Sequence, residues 1–340
     1  MDDATIRNRL AIGNRFSGCL VGQALGDALG FPVEGCPSST CAEYVVDVVR
    51  PADLKRAVRS PFRFGQYTDD TQLARELACS LVECRGFDPD DFAQRVAALF
   101  VDGRVVGRGA ATETAARRLG RGVPWQEAGT PAPSAGNGSA MRAAPIGLLY
   151  HDDPAGLVAA AKRQGWITHQ DPRCTAGAIA IAGAVALAIR EAHAVPMRFC
   201  GQLAAWVRDY DPVLEAELLA LPGLLHREPD QVVERLSRAG FQPDHETEWQ
   251  GISPFVTPRV LWSLYAYLRS PQNYWEAICT AIAVGGDVDT TAAMTGAIAG
   301  AAVGLDGLPL EIARQVTDRG KWGYEELRRL AEALFAVESS

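Results

Sequence analysis

The sequence predicts an all-α protein folded as one helical domain over residues 1–340. Three observations carry that prediction. Apolar residues recur at three- and four-residue spacing through most of the chain, the period of a helix with one buried face. No alternating strand pair and no βαβ series interrupts the pattern. No linker is long enough, or simple enough in composition, to mark a domain boundary.

In chain order, the helical period runs through Phe16–Leu29, Thr71–Val82, Phe92–Val101, Ala155–Trp166, Thr175–Ile189 and Phe199–Val207. It resumes in Val213–Leu221, Val232–Leu236, Val260–Leu268, Trp275–Val284, Ala292–Val303 and Tyr324–Phe335. Proline and glycine mark the joints, as at Phe31–Pro37, Gly120–Pro124, Gly129–Gly136 and Asp152–Pro154. Gly22, Gly26 and Gly30 are spaced by four, as are Gly296 and Gly300. A glycine inside a helix costs about 1 kcal/mol against alanine, so the stripes imply helices that pack closely. Asp171 before Pro172 reads as an N-cap followed by proline at the first helical position.

The chain of 340 residues is 48% hydrophobic and carries a net charge of −8. That supports a large core and argues against nucleic acid or an anionic membrane surface as partner. A long uncharged run, Cys174 to Ile189, is shorter than the ~20 residues that span a bilayer and reads as a buried helix. Met1 to Asn14 begins acidic and has no apolar stretch of signal length, which points to the cytoplasm. The eight cysteines form no CxxC pair, so neither disulfides nor a zinc site has support in their spacing.

Two aspartate clusters stand out. Thr68-Asp69-Asp70-Thr71 and Asp287-Val288-Asp289-Thr290 each follow a glycine-containing turn and precede an apolar helix. Capping a helix needs one such residue, so at least one carboxylate per cluster is left over. If the two helix ends meet, two unit charges at 4 Å repel by roughly 4 kcal/mol at an effective dielectric of 20, and a helix dipole returns only ~0.3–1 kcal/mol per charge. Such a site needs cations, and its all-oxygen ligands favour Mg²⁺ or Mn²⁺ over Zn²⁺. A further segment, Gly136-Asn137-Gly138-Ser139-Ala140-Met141, offers the tight backbone path of an anion nest at the start of an apolar run, and Gly107-Arg108-Gly109-Ala110 is a second candidate loop.

In this order the segments resemble the ADP-ribosylglycohydrolase family. The likeness runs from about Phe16 to about Gly307. Its carriers are Gly18–Gly30, Glu34, Tyr67–Thr71, the Gly136–Arg142 loop, Thr168-His169-Gln170-Asp171-Pro172 and Gly285–Thr290. The resemblance implies an orthogonal all-α fold with two Mg²⁺ or Mn²⁺ ions, held by Thr68, Asp69, Asp70, Asp287, Asp289 and Thr290. It implies Glu34 as the catalytic carboxylate. It implies Gly109, Gly136, Asn137, Gly138, Ser139, Met141 and His169 as substrate-binding positions. Asp27 reads as a buried helix-bonding group rather than a ligand.

The implied activity is release of ADP-ribose from an ADP-ribosylated protein or another ADP-ribosyl conjugate. Many arginine-directed members carry an aspartate where this chain has Val106, which tilts the expectation toward serine or another O-linked bond. The serine-directed branch has an aromatic residue two before the asparagine of its anion loop, where this chain has Ala135. The alternative from a different class is a catalytically silent, crystallin-like protein that binds ADP-ribose and keeps the metal site. A metal-dependent phosphohydrolase is a third reading, disfavoured by the lack of a βαβ scaffold.

Overall fold

The computed structural model describes residues 3–191, 193–241 and 249–338. Among them it contains seventeen α-helices and no strand longer than an isolated bridge. They are α1 (Asp3–Gly30), α2 (Ser38–Tyr44), α3 (Asp69–Cys84), α4 (Pro89–Val101), α5 (Ala110–Leu119), α6 (Trp125–Ala128), α7 (Ala144–Leu149), α8 (Pro154–Trp166) and α9 (Pro172–Arg190). They continue with α10 (Pro196–Val207), α11 (Pro212–Ala220), α12 (Pro229–Ser237), α13 (Val256–Arg269), α14 (Tyr274–Ala283), α15 (Val288–Val303), α16 (Leu310–Ala313) and α17 (Tyr324–Glu338). Each segment of helical period falls on one of them, with Leu221 and Val284 one residue past the ends of α11 and α14. The period did not reveal α2, α5, α6, α7 and α16, which are ten residues or shorter and so show few turns of any stripe. It also missed the first half of α1.

Many helices start on an acid followed by proline. Asp88, Asp153, Asp171 and Asp211 each accept hydrogen bonds from the first free backbone N–H groups of α4, α8, α9 and α11. The proline that follows has no N–H to leave unsatisfied and is already set to a helical φ. Asp171 is thus the cap that the sequence suggests.

The core is built around α9. Every residue from Cys174 to Ile189 is buried, packed among α7, α8, α10, α13 and α15. By length and composition α9 could cross a membrane; here it is the interior of a helical assembly. Alanine and glycine dominate it, so its neighbours approach closely on all sides.

α1 and α15 run antiparallel and approach backbone to backbone. A Cβ on Gly22 would lie 2.5 Å from the Gly296 carbonyl oxygen, and one on Gly18 would strike the carbonyl of Gly300. A Cβ on Gly26 would strike Ala292, and one on Gly30 would lie 2.5 Å from the Cα of Asp289. The glycine stripes are the two halves of one seam. Its register brings the C-terminal end of α1 against the N-terminal end of α15.

Candidate functional site

Two adjacent faces of α1 do different work. The glycine face holds α15. The neighbouring face carries Gln23 and Asp27, four residues apart and therefore one above the other. Asp27 is fully buried. One oxygen accepts from the backbone N–H and hydroxyl of Thr68, at 2.9 and 3.0 Å. The other accepts from the N–H and hydroxyl of Thr71, at 3.1 and 2.6 Å. A side chain of α1 thereby caps α3, where Thr68 makes no cap of its own. The Gln23 amide donates to the carbonyls of Met141 and Asp70, at 2.9 and 3.2 Å, and ties the anion loop to α3.

With α3 and α15 both docked on α1, the two aspartate clusters meet. Asp69, Asp70, Asp287 and Asp289 are buried around one point, with Glu34 beside them. Oxygens of Glu34, Asp287 and Asp289 lie within 4.8 Å of one another. Ionised oxygens at that separation repel by roughly 3 kcal/mol per pair at an effective dielectric of 20. Burial, joined at most of them by neighbouring negative charge, pushes several carboxyls of this group upward. Asp27 and Asp69 are raised to about 7, and Asp70 and Asp289 well above the ordinary carboxylate range. Glu34 is raised by burial and by Asp287, against the pull of Arg59.

Few of these oxygens are used for capping. Asp287 precedes α15 without capping it; it accepts from the Asn137 amide at 2.7 Å and pairs with the buried Arg259 at 3.5 Å. Asp289 accepts from the N–H of Thr290 at 2.9 Å. The Thr290 hydroxyl bonds Asp70, yet Asp70 Oδ1 is buried with no hydrogen-bond partner. A buried carboxylate oxygen without a donor costs on the order of 1–3 kcal/mol or more, which is the condition a cation relieves. Three guanidiniums, Arg59, Arg142 and Arg259, stand near this acid group, and burial lowers Arg142 and Arg259. They are too few for five carboxylates. The all-oxygen donors, the surplus of negative charge and the orphaned oxygen fit a site for hard divalent cations.

The walls are loops that the carboxylates themselves shape. Gly107 is in the left-handed region, at φ +76, and a Cβ there would lie 2.7 Å from Asp69 Oδ1. The Val106 carbonyl accepts from the Asp69 N–H at 2.6 Å, and the Gly109 N–H donates to the Asp69 carboxylate. The turn into α15 is clamped on both sides. Gly286, at φ +85, exchanges backbone hydrogen bonds with Gly35 and Cys36, while Ile252 accepts from Asp287.

Opposite these, Gly136–Met141 crosses the imidazole of His169. A Cβ on Gly138 would lie 2.6 Å from the ring. His169 is buried and hydrogen-bonded through Nδ1 to the Thr168 hydroxyl at 2.8 Å; burial and the nearby Arg142 hold it neutral, at about 3. Arg142 fixes the far end of the loop through Gln164 and Thr168.

These parts enclose a cavity of about 410 Å³. Glu34, Asp69, Asp70, Asp287, Asp289 and Thr290 line it, as do Gly109, Gly136, Asn137, Gly138, Met141 and His169. Two expected positions do not reach it. Ser139 is fully buried and its hydroxyl donates to the Cys174 carbonyl at 2.9 Å. Thr68 stands behind the wall with its hydroxyl on Asp27 and Asp70. Sequence reasoning missed Gln23, Arg59, Arg142 and Arg259. Gln23 had a signal, its place one turn before Asp27. Arg259 had another: a charge at the head of the apolar Val260–Leu268 run. Arg59, which donates to Glu34 at 2.7 Å from a loop, had none.

The sequence profile of the ADP-ribosylglycohydrolase family matches residues 8–340. The chain is 29% identical to the ADP-ribosylhydrolase ARH3 of Xenopus tropicalis, over 93% of this chain and 95% of that one. It is 27% identical to the ADP-ribosylarginine hydrolase Tri1 of Pseudomonas putida, over 95% of this chain and 78% of the relative. A solved structure described as an ADP-ribosylglycohydrolase-related protein complex superposes with a TM-score of 0.71 at 28% identity, covering 96% of this chain and 99% of that one. The paired aspartates at two helix starts, the glycine seam that joins them and a match along nearly the whole chain have one explanation: this protein belongs to the ADP-ribosylglycohydrolase family.

Proposed function

We propose that this protein is a divalent-metal-dependent hydrolase that releases ADP-ribose from ADP-ribosylated protein side chains or related ADP-ribosyl conjugates. The carrying observation is the meeting of Asp69, Asp70, Asp287 and Asp289 with Glu34 around a cavity, with Asp70 Oδ1 left without a partner. Family membership and relatives named as ADP-ribosylhydrolases support the substrate class.

Thr68, Asp69, Asp70, Asp287, Asp289 and Thr290 would hold two Mg²⁺ or Mn²⁺ ions, with Thr68 turning its hydroxyl away from Asp27 to do so. When bound, such ions orient the vicinal ribose hydroxyls and stabilise charge beside the scissile bond. Glu34 transfers the proton, as acid to the leaving atom or as base to the attacking water. Its ion pair with Arg59 at 2.7 Å holds the carboxylate at the cavity. The Gly136–Met141 loop carries the rest of the ADP-ribose, with neutral His169 beneath it. We favour a serine or other O-linked bond over an arginine-linked one. Val106, 4% exposed, stands where arginine-directed members carry an aspartate.

The test is a substrate panel of serine-linked, arginine-linked and O-acetyl ADP-ribose, each with Mg²⁺, Mn²⁺ or EDTA, read as free ADP-ribose. Release should be fastest from an O-linked substrate and absent in EDTA. Glu34→Gln should lower kcat by ~10²–10⁴-fold while still binding metal. No release from any substrate with either metal would remove the hydrolase reading; tight binding of ADP-ribose without release would mark a binding protein instead.

A further inference from the structure

Among the described residues that line the cavity, Arg108 is the single arginine or lysine. It lines a cavity whose other charged lining groups are Glu34, Asp69, Asp70, Asp287 and Asp289, while its guanidinium rests on Glu113 at the edge of a small neighbouring hollow. Its position lies between two parts of the site. On one side is Gly107, whose Cβ would meet Asp69 Oδ1 at 2.7 Å. On the other is the start of α5, where Thr112 Oγ1 lies 3.0 Å from the Cβ position of Gly138 in the anion loop. Arg108 therefore stands between the carboxylate cluster and the glycine loop.

We infer that Arg108 binds the diphosphate of an ADP-ribosyl substrate, an inference that rests on the reading of the cavity proposed above. A ribose over the carboxylates and a chain continuing toward the Gly136–Gly138 loop would put the diphosphate between them, next to residue 108, where the guanidinium meets it by swinging in from Glu113. Arg142 and Arg259 cannot substitute for it. Both are fully buried and committed to protein partners: Arg142 to Gln164 and Thr168, Arg259 to Ser253, Thr291 and Ile252. Arg108 is about half exposed and held only by Glu113, at 3.2 Å. Glu113 is itself shared with Arg117, at 2.8 Å. Water screens such an exposed pair, so Arg108 can leave it cheaply for a ligand phosphate. A guanidinium suits that task because its planar fork meets two phosphate oxygens at once.

The experiment compares binding of ADP-ribose, AMP and adenosine to wild type, Arg108→Gln and Arg108→Lys by calorimetry, with Mg²⁺ present and thermal melting as a folding control. Arg108→Gln should raise the Kd for ADP-ribose tenfold or more and leave adenosine within twofold. Arg108→Lys should recover part of the loss. In turnover, Arg108→Gln should raise KM much more than it lowers kcat. ADP-ribose binding within twofold of wild type in Arg108→Gln would overturn the assignment. So would a loss seen with ADP-ribosylated protein but not with free ADP-ribose, since Arg108 would then contact the protein target. Failure of the wild type itself to bind ADP-ribose would instead remove the proposed function.

Discussion

Asp88 and Asp287 both stand one residue ahead of a helix, and they are used in opposite ways. Asp88 accepts from the N–H groups of Asp90 and Asp91, at 2.8 and 3.1 Å, and Pro89 opens α4 behind it. Its charge is spent locally, on donors that the helix exposes. Asp287 caps nothing. Its side chain reaches out to Asn137 and Arg259, across the site. The start of α3 shows the same displacement, because Asp27 of α1 does the capping there and frees Asp69 and Asp70. A helix start whose caps come from elsewhere in the fold is a start whose own acids are available for chemistry.

That contrast can be broken from either side. The largest effect should come from Asp287→Asn. Loss of one ligand from a site that supplies several kcal/mol of charge stabilisation should lower turnover on the order of 10³-fold or more, with metal affinity falling alongside. Its metal-free form should melt no lower than metal-free wild type, because the change removes no cap and the buried Arg259 keeps Asp289, Asp70 and Glu34 as counter-charges. Calorimetry with Mn²⁺ and a thermal melt measure both; a clearly lower melting temperature would mean that Asp287 is structural.

The next effect is one of pH. Burial raises Asp27 and Asp69 to about 7, so the folded, metal-free protein holds these protons more tightly than the unfolded chain does. Their contribution to stability is complete below the ordinary carboxylate range near pH 4. It is lost as the pH rises through about 7, by an amount on the order of a few kcal/mol. Mg²⁺ or Mn²⁺ should therefore raise the melting temperature strongly at pH 8 and little at pH 5, where protons compete for the same oxygens. Equal stabilisation at both values would contradict this. The smallest effect belongs to Asp88→Ala, which should cost about 0.5–2 kcal/mol of stability in denaturant melts and leave ADP-ribose release unchanged.

The fold was legible where the helical period was long. The Thr175–Ile189 run announced the buried α9, and the glycine spacings announced close helix packing, though not that α1 and α15 are the partners. α5 escaped notice because its buried stripe is only Thr112, Ala115 and Ala116 in ten residues. The acidic members of the site were legible because two aspartates and a threonine at a helix start exceed what capping needs. The cationic members were not, since an arginine in a loop, like Arg59, carries no local sign of which carboxylate it will meet. Ser139 and Thr68 show the reverse failure. Their place in a motif is clear, but which way a hydroxyl turns depends on neighbours such as the Cys174 carbonyl and Asp27.

By itself the sequence determined the longer helices, the cap at Asp171 and the excess of carboxylates, because these follow from local spacing and composition. Only the tertiary structure decided that the excess is shared. Asp70 and Asp287 lie more than two hundred positions apart, and nothing local couples them. A seam of glycines along one face of α1 and one carboxylate on the next face bring their helix ends together. Backbones can approach that closely only where no side chain intervenes. Once they do, the charges that each helix start could have kept in water become a single buried problem that a cation can solve.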